Sequence, residues 1–128
     1  MSYPENYRYT KEHEWASLDG AIATIGITDH AQKELGDIVY VDLPSEGKTF
    51  AVGDSFGSVE SVKAVSDVYA PLAGTVVEAN TSVVDSPQLV NDDAHGAGWL
   101  IKLELSDPSQ FAGLMSAAEY EEYIAAEH

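Results

Sequence analysis

The sequence predicts a mainly β fold, a quasi-symmetric β sandwich or barrel with short helices, one of them at the C-terminus. The first observation is a series of short runs rich in β-branched and aromatic residues, which are typical of strands. These runs include Ala21 to Ile27, Ile38 to Leu43, Val65 to Tyr69, Thr75 to Ala79 and Trp99 to Leu105. The second is the frequency of turn residues between them, since glycine and proline supply the φ values that tight reversals need. Such turns are predicted at Asp19-Gly20, Pro44-Ser45-Glu46-Gly47, Val52-Gly53-Asp54 and Pro71-Leu72-Ala73-Gly74.

A short internal repeat is the third observation. Gly36-Asp37-Ile38-Val39 is echoed by Gly74-Thr75-Val76-Val77, and at the same offset Gly53-Asp54 is echoed by Asn91-Asp92. Matches this short also arise by chance. If the repeat is structural, two halves bury one face each against the other, and the segment between them, which contains Lys63, lies near the pseudo-axis.

The first predicted helix runs from about Asp29 to Leu35. Thr28 is placed to cap its free N–H groups, because a threonine hydroxyl accepts a bond from the first turn. Gly36 fits the left-handed position that commonly follows a helix end.

The second predicted helix lies near the C-terminus. Ser116-Ala117-Ala118-Glu119 has the form of a capping box, with Met115 and Tyr120 placed as its hydrophobic staple. Tyr120, Tyr123 and Ile124 then share one helix face, so we expect this face to dock on the sheets.

Length and charge limit the function classes. The 128 residues fit one domain, residues 1–128, because single-core domains cluster at about 100 to 150 residues. Six basic residues stand against 22 acidic ones, for a formal net charge of -16. This charge repels phosphate, so we expect neither nucleic-acid nor anionic-membrane binding. The same acidity fits solubility, high-salt adaptation or docking onto basic partner surfaces.

The chain has no cysteine, which rules out a disulfide scaffold, a thiolate metal site and a cysteine nucleophile. Any redox sulfur would have to be imported. The first residues lack a basic segment followed by an apolar run, and no stretch reaches the roughly 18 apolar residues of a membrane span. We therefore expect a cytoplasmic protein, or one of the mitochondrial matrix if it is a processed organelle form.

Other enzyme and metal motifs are absent or incomplete. Gly47-Lys48-Thr49 resembles the end of a phosphate-binding loop, but Asp42 stands where the first glycine belongs. No hydrolase triad is legible, so we expect no catalytic residue. We also expect no metal site, because no metal-ligand spacing links His13, His30, His95 and His128.

The stretch from Val52 to Gly74 presents a single lysine between two strand-like runs. Between Val59 and Val65, every residue except Val62 and Lys63 is short or acidic, so the turn projects one long cation into solvent. An exposed lysine in a hairpin turn is common and by itself does no more than keep an edge soluble.

The residues around Lys63 resemble the lipoyl and biotinyl carrier family. In that family a turn with Gly-Asp precedes the modified lysine and Ala-Pro-x-x-Gly follows it, as Gly53-Asp54 and Ala70-Pro71-Leu72-Ala73-Gly74 do here. Glu60-Ser61-Val62-Lys63-Ala64 is similar to the H protein branch, which serves the glycine cleavage system. Biotin carriers usually place methionine on either side of the lysine.

The resemblance to the H protein branch extends over nearly the whole chain. One departure is Ala94-His95, which stands where the branch usually has Pro-Tyr. The matching segments are His13-Glu14-Trp15, Gly26 to Gln32, Leu35 to Val39, Leu43-Pro44, Val76 to Asn80, Leu89-Val90-Asn91 and Gly98-Trp99-Leu100.

The resemblance implies a lipoyl-domain fold, the hammerhead barrel, and a set of site residues. It implies that lipoate forms an amide with Lys63. A modifying enzyme would recognise the lysine tip, and Glu14 and Asp67 would line a cleft that receives the loaded arm. The tip residues are Glu60, Ser61, Val62 and Ala64.

The same resemblance implies a non-catalytic monomeric carrier that shuttles the aminomethyl intermediate of glycine. Its partners would be glycine decarboxylase, which uses pyridoxal phosphate, a tetrahydrofolate-dependent aminomethyltransferase and dihydrolipoamide dehydrogenase. A lipoate ligase or lipoyltransferase would modify it. Two alternatives are a lipoate relay or carrier of another pathway and an unmodified interaction module.

Overall fold

The computed structural model describes residues 3–126, and nine antiparallel strands in this range form two sheets. The strands are β1 (Arg8–Tyr9), β2 (Glu14–Asp19), β3 (Ile22–Ile27), β4 (Ile38–Asp42), β5 (Thr49–Phe50), β6 (Ser55–Ser61), β7 (Val65–Tyr69), β8 (Gly74–Ala79) and β9 (Ile101–Leu105). Six strands follow the order β1-β2-β3-β9-β8-β5, and β4-β6-β7 form the second sheet. Because the two sheets stay separate, the fold is a sandwich and not a closed barrel.

The two sheets share one apolar core. Ile25 and Leu103 of the larger sheet are fully buried, as are Val41 and Val59 of the smaller one, and all four belong to the same cluster. In β4, β6 and β9 these positions alternate with more exposed residues, as expected when one face of a strand is covered. The predicted mainly β fold is confirmed, and the five predicted runs all contain strands, whose ends agree with the prediction to within two residues.

The first pair of segments in the predicted repeat corresponds to two strands, β4 and β8. Gly36-Asp37-Ile38-Val39 leads into β4 and Gly74-Thr75-Val76-Val77 opens β8, in opposite sheets. The second pair of matching residues does not share a structure. Gly53-Asp54 precedes β6 in a turn, whereas Asn91-Asp92 lies in a helix. The repeat is therefore structural only at its first pair.

The first predicted helix is confirmed as α1 (Asp29–Leu35). The Thr28 hydroxyl accepts a hydrogen bond of 3.2 Å from the Ala31 N–H, which caps the first turn. Gly36 ends the helix with a φ of 82°, a backbone conformation that residues with a Cβ rarely adopt.

Three short helices were not predicted from sequence. They are α2 (Thr81–Asp85), α3 (Leu89–Asp92) and a 3₁₀ helix, Pro108–Gly113.

The C-terminal helix is confirmed as α4 (Ala117–Ala126). Its capping box forms, with 2.9 Å from the Ser116 N–H to Glu119 Oε1 and 3.2 Å from the Glu119 N–H to Ser116 Oγ. No helix within residues 3–126 is both long and apolar enough to cross a bilayer.

Helix α4 closes a second, aromatic cluster beside the sheets. Tyr120 is fully buried and stacks on Tyr9 with ring centroids 4.9 Å apart, while Trp15 packs in the same cluster. Gly26 lies under Trp15, since a Cβ there would come within 2.7 Å of the indole. The cluster holds the start of β2 and the end of β3 in place.

The Ala94-His95 segment links this cluster to α1. The Trp15 indole donates a hydrogen bond of 2.9 Å to the Ala94 carbonyl. His95 Nε2 accepts one of 3.0 Å from the backbone N–H of Asp29. The imidazole therefore satisfies a free N–H group in the first turn of α1.

Candidate functional site

Lys63 lies exposed in the short turn between β6 and β7. The Ser61 hydroxyl closes this turn, because its oxygen accepts bonds from the Lys63 N–H at 3.1 Å and the Ala64 N–H at 3.2 Å. The Ser61 N–H also donates to the Ala64 carbonyl at 2.8 Å. A turn tied at this many points gives the lysine a defined base.

The other residues expected at the tip differ in what they present. Glu60, Val62 and Ala64 are exposed, whereas Ser61 is buried. The Val62 N–H donates a hydrogen bond of 3.0 Å to the Asp37 carbonyl, which attaches the tip to the segment before β4. The Val62 side chain projects outward. Ser61 therefore shapes the turn, and its three neighbours form the surface that an approaching protein meets.

The Lys63 side chain extends along the end of α1. Its Nζ donates a long hydrogen bond of 3.4 Å to the Glu34 carbonyl. A Cβ added at Gly36 would come within 3.4 Å of Lys63 Cε, so the absence of a side chain there leaves room for the lysine. The carbonyls at a helix C-terminus carry partial negative charge, which favours an ammonium group.

Glu14 is a buried carboxylate at the start of β2, with 3% of its surface exposed. The Thr10 hydroxyl donates 2.7 Å to Oε1, and the Tyr69 N–H donates 3.2 Å to Oε2. Burial raises the pKa of the Glu14 carboxyl to about 7, although both hydrogen bonds oppose this shift by favouring the charged form. The group therefore changes charge near neutral pH.

Glu14 faces a cleft of about 330 Å³. The walls come from the segment before β2, the turn before β6, the end of β7 and the residues that follow the 3₁₀ helix. They include Thr10, Glu14, Gly53, Tyr69, Pro71 and Leu114. A mostly apolar cleft with one buried carboxylate can hold a small group that carries a positive charge.

Asp67 lies on β7 between the lysine tip and the cleft. It is exposed and pairs with Ser58 of β6. Because strand residues alternate, Asp67 and Tyr69 share the outer face while Val68 is buried. Among the described residues, Tyr69 lines the cleft and Asp67 does not. Asp67 is four residues beyond Lys63, and even a fully extended chain would span no more than about 13 Å between them.

The partners of Glu14 were not predicted from sequence. Thr10 and Tyr69 lie far apart along the chain and meet the carboxylate only in the folded protein.

A second cluster was also missed. His13, His30 and Glu34 offer ligand atoms that all lie within 4.8 Å of one another. The spacing among histidines does not reveal this cluster, but the separation of four residues between His30 and Glu34 on a helix was a usable signal. His128 lies outside the described residues.

Comparisons with known proteins place this geometry in a family. A family model described as "Glycine cleavage H-protein" matches residues 7–127. A glycine cleavage system H protein from Herpetosiphon aurantiacus is 59% identical over 121 residues, which are 94% of this chain and 92% of that protein. One from Koribacter versatilis is 56% identical over 127 residues and covers 99% and 98%. A crystal structure of a glycine cleavage system H protein from Mycobacterium marinum has a TM-score of 0.85 and 39% identity, and the match covers 98% of both chains. The chain therefore belongs to the glycine cleavage H-protein family.

Proposed function

We propose that the chain is a single lipoyl-carrier domain that bears lipoate on Lys63 and serves as the carrier component of a glycine cleavage system. Family membership supports the carrier role and makes the chain a component without catalysis of its own. The observation that carries the proposal for Lys63 is its exposed amine on a turn closed by Ser61.

The residues around Lys63 fit an acylated lysine. Within residues 3–126, one long hydrogen bond, to the Glu34 carbonyl, holds the amine, so a modifying enzyme has little to displace. The amine must lose a proton before it attacks an activated acyl group, because the nitrogen lone pair forms the new bond. When bound, lipoate supplies a sulfur pair for redox and group transfer, which this cysteine-free chain lacks.

A lipoate ligase or lipoyltransferase would meet the exposed face of the hairpin. Glu60, Val62 and Ala64 surround Lys63 on this face. Val62 is 68% exposed, more than any other large apolar side chain of the described residues, so it would offer an apolar contact beside Lys63. Ser61 would contribute by keeping the turn closed.

Glu14 would stabilise a carried amine in the cleft. A lysine with its lipoyl group is on the order of 10 to 15 Å long, estimated from bonds of about 1.5 Å. This arm spans the path to Asp67 and approaches the cleft beyond it. A primary amine is cationic near neutral pH and would favour the ionised form of Glu14, which lowers the pKa that burial has raised. Exposed Asp67 would attract the same cation on its way.

Membership of a glycine cleavage system implies the other components of that system as partners. We propose glycine decarboxylase, the tetrahydrofolate-dependent aminomethyltransferase and dihydrolipoamide dehydrogenase, each meeting a monomeric carrier at the tip. The bacterial sources of the relatives support a cytoplasmic setting. Tethering would hold the carried group near each docked active site at a roughly millimolar effective concentration.

Loading by glycine decarboxylase tests this function. Protein lipoylated in vitro is incubated with the decarboxylase and glycine labelled at its methylene carbon, because the carboxyl carbon leaves as carbon dioxide. The label retained on the carrier is measured by mass spectrometry. We expect labelled wild type and Lys48→Arg, and no label on Lys63→Arg. Lys48 is a matched control because it is also exposed in a turn. Lipoylated wild type that gains no label would contradict the glycine-cleavage role and leave a lipoate relay as the remaining carrier function.

A further inference from the structure

We propose that His13, His30 and Glu34 form a binding site for a divalent transition metal ion of the zinc class. This site lies outside the cleft that holds Glu14. Two imidazoles and a carboxylate are a common ligand set for zinc, whereas magnesium and calcium prefer oxygen ligands alone.

Two separate segments bring the three side chains together. His30 and Glu34 are four residues apart on α1, so they lie on the same helix face, with His30 Nε2 3.5 Å from Glu34 Oε1. His13 precedes β2, and its ring lies 4.7 Å from the His30 ring. All three ligand atoms fall within 4.8 Å of one another. Zinc–ligand bonds of about 2.0 to 2.2 Å require the ligand atoms to close by at most about 1.5 Å.

The His13 ring is held in one orientation by its surroundings. Its Nδ1 lies 2.7 Å from the Tyr120 hydroxyl, which in turn lies 2.8 Å from Thr28 Oγ1. The backbone of His13 adopts a φ of 68°, and its carbonyl accepts 2.9 Å from the Thr28 N–H. Metal-binding histidines commonly have one ring nitrogen fixed in this way, which turns the other nitrogen toward the ion. Nε2 of His13 is therefore the coordinating atom.

The site is open to solvent on one side. The Glu34 side chain is 57% exposed and that of His30 is 12% exposed. Water can complete the coordination shell from the Glu34 side, as it does in zinc sites with three protein ligands. The backbone carbonyl of Glu34 also receives the Lys63 amine, so a bound ion would fix the helix that the carrier lysine contacts.

Zinc titration of the intact, untagged chain tests the site. Calorimetry in the presence of salt and excess magnesium suppresses loose binding to the acidic surface. We expect one zinc ion per chain, with affinity at least about tenfold lower in Glu34→Gln and in His30→Gln. Glu46→Gln removes the same charge from an exposed turn and should leave the affinity unchanged. Copper bound to the wild type should show an electron paramagnetic resonance spectrum with coupling to two imidazole nitrogens.

Tyr120→Phe provides a test that keeps all three ligands. Removing the hydroxyl that orients His13 should weaken zinc binding by about 10- to 100-fold, the usual effect of losing such a partner. Circular dichroism confirms that each variant is folded. Equal affinity in wild type and folded His30→Gln, or an equal loss in Glu46→Gln, would overturn the proposal. Lipoylation of Lys63 plays no part in this test, so its outcome is independent of the proposed carrier function.

Discussion

The buried carboxyl of Glu14 makes the stability of the protein sensitive to pH. Its ordinary pKa of 4.5 applies in the unfolded chain, and burial raises it to about 7 in the folded protein. The folded state therefore binds the proton more tightly, and the free energy of unfolding falls as the pH rises between these two values.

We expect Glu14→Gln to remove this loss, because glutamine stays neutral at every pH. Between about pH 5 and about pH 8, the unfolding free energy of wild type should fall by on the order of 2 kcal/mol more than that of Glu14→Gln. Urea denaturation at both pH values measures the effect, with the exposed Glu46→Gln as control. A pH dependence that is the same in wild type and Glu14→Gln would show that burial does not shift this carboxyl.

His95 has the opposite pH dependence. Its Nε2 accepts the Asp29 N–H, and burial lowers the pKa of the imidazole against the nearby charges of Asp29 and Asp93. The folded state favours the neutral ring, so its stabilising effect is present above the ordinary pKa of 6.5 and is lost as the pH falls below that value.

Replacing His95 with leucine removes the acceptor and leaves a first-turn N–H of α1 without it. We expect His95→Leu to lower the unfolding free energy by about 1 kcal/mol near pH 8, the typical cost of losing a helix cap. The difference from wild type should shrink as the pH falls below 6.5, where the protonated ring can no longer accept the bond. A difference that stays constant with pH in urea denaturation would contradict this role.

At the scale of elements, the β6–β7 hairpin depends on one side chain. Ser61 Oγ accepts hydrogen bonds from two backbone N–H groups of the turn. An alanine side chain cannot accept these bonds. We expect Ser61→Ala to lower the unfolding free energy by about 1 kcal/mol and to slow lipoylation by a ligase in vitro. Lys63 remains available but its base is no longer fixed. Ser45→Ala, in an exposed turn, is the control, and equal lipoylation rates for all three proteins would argue against a shaped turn.

Local signals explain only part of which helices the sequence could predict. The sequence predicts α1 from its capping residue Thr28 and α4 from the capping box at Ser116. Both caps form as predicted. Helix α2 and the 3₁₀ helix also begin with capping residues, Asn80 and Asp107, but they are too short to show a helical period. Helix α3 has no side-chain cap. It is held instead by contacts distant in sequence, such as the Asn91 amide that donates to the Gly36 carbonyl, and such contacts are invisible to local patterns.

In the candidate site, too, local sequence predicts one part, the lysine tip, and does not predict the other, the surroundings of Glu14. The exposed tip at Lys63 follows from a run of small residues between two strands, and the family resemblance adds its expected role. The environment of Glu14 does not follow from composition, because 22 acidic residues look alike until folding buries one of them. The expected pairing of Asp67 with Glu14 in one cleft is likewise a question of geometry, and here Asp67 stands outside the cleft lining.

At the scale of the whole molecule, the proposed carrier would combine a rigid base, the sandwich, with a movable arm on Lys63. Two sheets around one core fix the position of the hairpin and of the cleft, and the only long cation at the tip is Lys63. A carrier needs both parts, because tethering raises the local concentration only if the base docks in a defined way. The acidity of the chain, with a net charge of -16, would add long-range attraction to a partner whose docking surface is basic.

The mass of the protein isolated from its native host tests the central claim most directly. Intact-mass measurement followed by peptide mapping reports whether an acyl group is attached and to which residue. We predict one lipoyl amide per chain, located on Lys63. Natively isolated protein without the adduct, or with it on another lysine, would contradict the account, provided that other lipoyl proteins of the same cells are modified.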